Sequence, residues 1–259
     1  MNGWNDFFYF FIIGATLLLD VLGFCLTIIL PDTHSRIGRF FRTYFIVLTL
    51  GVFSVLWENI FFFYPVPAAV IRFMQVPICL LLSLPLPMQT FLLVFYCKEN
   101  IRQSRLLRTV LGLWSVYFVL VVSGLFTDSF YTITPAIQVL RGPWYPLMLL
   151  PLNAIVLLNL TALFKRRKLL SRKVYLSFLI ALLPIALTVL VQLFVDVFLL
   201  MAICYALFSL ATYGFILTDQ IERDRHQQKE LFLHEQEIAR KQRQIANRYS
   251  FFTYFVLFH

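Results

Sequence analysis

Charged residues are scarce, with Asp, Glu, Lys and Arg together making up 14% of the 259 residues. A soluble globular domain holds about 25%. Intrinsic disorder needs high charge with low hydrophobicity, so it is excluded. An ordinary soluble domain is excluded too, because 60% of the chain is hydrophobic and a fold of this size cannot hide that surface from water. Cysteine is sparse. Cys25, Cys79, Cys97 and Cys204 are scattered in or beside apolar runs, and none forms a CxxC. They read as small buried apolar residues. His34, His226, His234 and His259 lack metal-ligand spacing, and there is no GxxxxGK[ST] phosphate loop or HExxH pair. Neither a metal nor a cofactor is expected.

Apolar length is abundant instead, and Phe alone occurs 29 times. A membrane helix needs about 20 mostly apolar residues. Seven runs qualify: 7–30, 43–63, 73–95, 109–127, 145–164, 174–194 and 197–217. None alternates as a barrel strand does. The expected fold is all-α, a seven-helix integral membrane bundle over 1–217. The stretch 174–217 requires a tight outer turn near Val195–Asp196. Pro77, Pro85 and Pro87 predict a kinked or locally unwound third helix, because each removes a backbone donor. Such breaks persist only where protein or water satisfies the freed carbonyls. Residues 1–6 carry no Lys or Arg and the first run is long, so it reads as a retained helix rather than a signal peptide.

Net charge is +9, and its placement gives an orientation. The segments 31–42, 96–108 and 165–173 and the tail from 218 hold 20 of the 22 Lys and Arg residues; only Arg72 and Arg141 fall opposite. Basic loops mark the cytoplasmic side. The N-terminus is therefore expected outside and the C-terminus inside, in the plasma membrane. With topology accounting for the charge, no basic face remains for nucleic acid. Anionic lipid near the basic segments is a natural partner. The outer loop 128–144, rich in Tyr, Trp and Pro near its end, fits an interfacial belt or a lid over an outer pocket.

Asp20, Glu58 and Arg72 lie within or at the edge of apolar runs. Ionisable groups there cost several kcal/mol unless paired or hydrated. The short connection 64–69 makes a Glu58–Arg72 pair plausible, with Asn59 and Gln75 close by. Asp20 has no obvious sequence partner. Asn153, Asn159 and Gln192 are further inward-facing candidates. Two readings stay open. These groups either bond helices together, or Glu58, Asn59, Arg72 and Gln75 line an outward pocket for a small signal.

After Leu217 the composition changes. Residues 218–248 contain six acids and seven bases, many Gln, and neither Gly nor Pro, which favours helix. Apolar residues are sparse, Ile221 among them. Leu217, Leu231, Ile238 and Ile245 share a seven-residue register broken by Asp224. That suits a parallel coiled coil and a homodimer. A lone solvated helix held by i,i+4 charge pairs is the alternative. The end, 248–259, is aromatic and apolar yet about half a span long. It reads as an aberrant tail, or as an amphipathic anchor lacking a polar face.

The exit from the last span, Thr218-Asp219-Gln220-Ile221-Glu222, is followed by Gln227-Gln228-Lys229-Glu230. The run Gln236-Glu237-Ile238-Ala239-Arg240-Lys241-Gln242-Arg243-Gln244-Ile245-Ala246 comes after it. Together with the spans, residues 1–247 resemble the seven-helix sensor region of bacterial membrane histidine kinases, common among anaerobic Firmicutes. The resemblance implies a sensor with inward output, followed in such kinases by an Arg-Pro-His-Phe-type phosphoacceptor and an ATP-binding domain. This sequence departs at about Asn247, and His226 and His234 do not match that motif. The expectation is a sensing module truncated before its catalytic part and without enzyme activity of its own. A small-solute transporter or accessory subunit is the rival, although no internal repeat supports it.

Overall fold

A computed structural model describes residues 3–29, 36–61, 66–134, 139–194 and 198–257. Eight helices and one hairpin follow in order: α1 (Gly3–Ile29), α2 (Arg36–Phe61), α3 (Ala68–Ser83), α4 (Pro85–Tyr96), α5 (Arg105–Ser123), β1 (Tyr131–Ile133), β2 (Val139–Arg141), α6 (Tyr145–Lys165), α7 (Arg172–Val191) and α8 (Phe198–Leu257). Seven stretches among them are long and apolar enough to cross a membrane, with α3 and α4 counting as one. Each overlaps one of the seven runs expected from sequence. The expected turn at Val195–Asp196 lies outside the described residues.

The chain divides into two compact units, Met1–Gly214 and Phe215–His259. In the first, helices pack mostly in chain order, α1 on α2, α2 on α3, α5 on α6 and α6 on α7. α4 meets α2, α5 and α6, and is the most enclosed part. Phe41, Phe45, Leu48, Leu82, Leu86, Leu93, Ile155 and Ile185 are buried at its core. Tyr213 of α8 packs its ring 4.9 Å from that of Phe41. The outward surface is apolar as well: Leu18, Phe73, Val119, Leu157 and Leu187 are between 62% and 73% exposed. In water that surface would be unfavourable; lipid tails accept it.

Local chemistry explains where the helices begin. Ser104 and Ser171 cap α5 and α7, their hydroxyls accepting from the amides of Leu107 and Val174 at 3.5 and 3.3 Å. Pro85 and Pro146 open α4 and α6, where the missing amide is not needed. The expected disturbance in the third span is small. Only Leu84 separates α3 from α4, and it keeps helical dihedrals, φ −58° and ψ −31°. At this level α5 adds two bonds to α3: Trp114 Nε1 donates to Ser83 Oγ at 3.0 Å, and the Tyr117 hydroxyl to the Cys79 carbonyl at 3.4 Å.

Three features differ from the sequence expectations. Arg36, Arg39 and Arg42 belong to the first turns of α2 rather than to a loop. The outer connection contains an antiparallel hairpin, pairing Tyr131 with Arg141 and Ile133 with Val139, in an otherwise all-α fold. Gly142 permits it, since a Cβ there would stand 2.2 Å from the Ser129 carbonyl oxygen. Finally, α8 runs on through the apolar end to Leu257. No Gly or Pro follows Gly214 to stop it.

Candidate functional site

The polar residues near the end of α2 and the start of α3 converge. Gln75 Nε2 donates to Glu58 Oε1 across the two helices. Arg72 pairs with Asp128, 56 residues away at the foot of the hairpin. Asn59 turns back on its own helix, Nδ2 donating to the Val55 carbonyl at 2.7 Å. Gln75 and Glu58 thus link two helices, and Arg72 and Asp128 link helix to hairpin. Asp128 had no signal in the sequence, because loop position alone does not say which helix a carboxylate reaches.

A second polar group ties down the other side of the hairpin. Arg141 of β2 donates from Nη1 to the Gln192 carbonyl at 3.0 Å and lies over the Tyr145 ring, 4.5 Å from its centroid. Gln192 Nε2 donates to the Tyr145 hydroxyl at 3.3 Å. Gln192 is thus a cap residue of α7 that binds the outer connection. Between the two groups sits Tyr131, 3% exposed. Its burial pushes the phenol above its ordinary range; Cys79 adds to the shift, and the Arg72 guanidinium opposes it.

The remaining intramembrane candidates separate into different roles. Asn159 Oδ1 accepts from the Thr90 hydroxyl at 2.7 Å, a buried bond between α4 and α6. Asn153 bonds within α6, to the Leu149 carbonyl at 3.1 Å. Asp20 is fully buried, and among the described residues neither carboxylate oxygen has a hydrogen-bond partner. It lies within electrostatic reach of the Tyr44 hydroxyl. That hydroxyl accepts from Gln89 Nε2 at 3.1 Å and bonds with Ser209. Sequence reasoning missed this network, whose members come from α2, α4 and α8.

Along the second unit, Leu217 is half-buried. Ile221, Leu231 and Ile238 are exposed, Leu231 at 66%. The side chain of Ile245 lies outside the described residues. Among the described residues no group of three or more His, Cys, Asp or Glu is placed to hold a metal ion. Comparison of the chain with protein-family models, curated proteins and solved structures gives no match.

Proposed function

We propose that this chain is the membrane signal-sensing module of a sensor-kinase-like protein, receiving an external or intramembrane signal and passing it to a cytoplasmic helix. The observation that carries the reading is α8, an unbroken helix from Phe198 to Leu257. Its first part is apolar enough to cross a membrane, and residues 224–242 form an exposed, charged stretch. Exposed Leu231 and Ile238 keep the seven-residue register and give two copies a seam to share. At the hairpin end, Glu58, Gln75, Arg72 and Asp128 offer both charges to a small polar ligand. The distribution of basic residues supports an outside location for that end and a cytoplasmic one for the charged part of α8.

The test uses residues 1–247 fused to the catalytic core of a sensor kinase, with single residues inserted one at a time after Gln242. Output that rises and falls with a period of about seven residues supports a helix passing on rotation. Flat output across the series rejects it. Asp20 favours a second reading, a small-solute transporter or accessory subunit, since an unpartnered acid at membrane depth suits a transport path. Solute uptake into vesicles containing the purified chain, abolished by Asp20→Asn, selects that reading instead.

A further inference from the structure

A cavity of about 470 Å³ opens between α2 and α4 at the basic end of the first unit. Its size lies in the range of small-molecule sites. Its lining changes character along α2. Arg36 and Arg39 stand at the mouth, both exposed, on the first turns of α2. Behind them Phe40 and Phe91 stack with ring centroids 5.7 Å apart and planes 11° from parallel. Met88 and Phe95 continue the apolar wall along α4. None of the described lining residues is acidic.

The distances favour one kind of occupant. From Arg36 to Thr43, the first and last lining residues on α2, the helix rises roughly 10 Å. Over that rise the wall passes from two guanidinium groups to aromatic rings. A headgroup phosphate and the start of an acyl chain need that change over a similar distance. A soluble anion would use the arginines and leave the apolar wall wet. A neutral lipid would fill the wall and leave the arginines without a counter-charge.

We infer that this cavity between α2 and α4 is a binding site for an anionic phospholipid, its phosphate on Arg36 and Arg39 and an acyl chain against Phe40, Phe91 and Met88. The site stands apart from the hairpin end, so it holds whether or not that end receives a signal.

The experiment reconstitutes the full chain in vesicles containing phosphatidylglycerol or phosphatidylcholine with a diazirine on the acyl chain, then maps photolabelled peptides. The expected result is selective labelling of peptides spanning Phe40–Thr43 and Met88–Phe95 by phosphatidylglycerol. Each arginine contributes about fivefold to the preference. Arg36→Gln with Arg39→Gln reduces labelling to the phosphatidylcholine level. Arg102→Gln with Arg105→Gln, at the same end but outside the cavity, preserves the preference. Thr43→Trp, which narrows the cavity at the end away from Arg36, lowers labelling by both lipids. Equal labelling of these peptides by the two lipids overturns the inference, as does equal loss in both double variants. Displacement of the label by excess inorganic phosphate also overturns it, since a free anion would then be the occupant.

Discussion

The two ends of the first unit use the same chemistry to different effect. At the basic end, Glu99 takes two hydrogen bonds from Arg166, at 2.6 and 3.0 Å, and accepts weakly from the Ser104 hydroxyl at 3.4 Å. One carboxylate thus joins the α4–α5 connection to the last turn of α6. At the hairpin end, Arg72 meets Asp128 through a single nitrogen, and the Asp128 side chain is 65% exposed against 31% for Glu99. Exposed single contacts are worth about 0–1 kcal/mol. Paired, partly buried Arg–carboxylate contacts are worth about 1.5–3 kcal/mol. The basic end is therefore a fixed joint. At the hairpin end the Arg72–Asp128 contact is weak enough for an incoming ion to compete with.

Several substitutions break or sharpen this contrast. Gly142→Val carries the largest expected effect, because the added Cβ meets backbone that cannot rotate away. A loss of about 3 kcal/mol is expected, read as a drop in thermal unfolding temperature in detergent. Glu99→Ala comes next, at about 2 kcal/mol, because Arg166 then lacks its partner while partly buried. Arg72→Ala is expected to cost less than about 1 kcal/mol. Equal losses for Glu99→Ala and Arg72→Ala would abolish the distinction between the ends. The smallest effect is at Lys98, whose φ of 56° is unusual for a residue with a side chain. Lys98→Gly relieves that conformation and is expected to stabilise by up to about 1 kcal/mol.

Cys97 reports on the same joint by pH. Burial raises its thiol above the ordinary value of 9.0, Arg166 pulls it down, and Glu99 pushes it up. Alkylation by maleimide should therefore show a pH midpoint above 9.0. Glu99→Gln should move that midpoint down, and Arg166→Gln should move it up. Both variants loosen the joint, so midpoints moving in one common direction would mean that exposure rather than charge controls the thiol.

The spans were legible because each is a local property, a run of apolar residues long enough for a bilayer. The hairpin was not legible. Its strands are three residues each, and it depends on the close approach of Gly142 to Ser129, which no periodicity announces. The sequence brought Glu58, Arg72 and Gln75 together through a short connection, and Glu58 does meet Gln75. The partner of Arg72 lies beyond two further helices. Asn153 and Asn159 show the limit most clearly: six residues apart on α6, one serves its own helix and the other reaches Thr90. Only packing decides between them.

Asp20 also bears on how the chain is made. A lone α1 leaving the insertion machinery would present a carboxylate to hydrocarbon, at a penalty of about 2.5–3.5 kcal/mol for a central acid. The packing of α1 on α2 provides the enclosure that removes that exposure. The apolar length of Phe10–Ile29, with a mean hydropathy of 2.4, offsets that penalty for the helix by itself, and packing then removes the carboxylate from lipid. The acid that makes no hydrogen bond among the described residues thus favours the packed position of α1 over a lipid-exposed one.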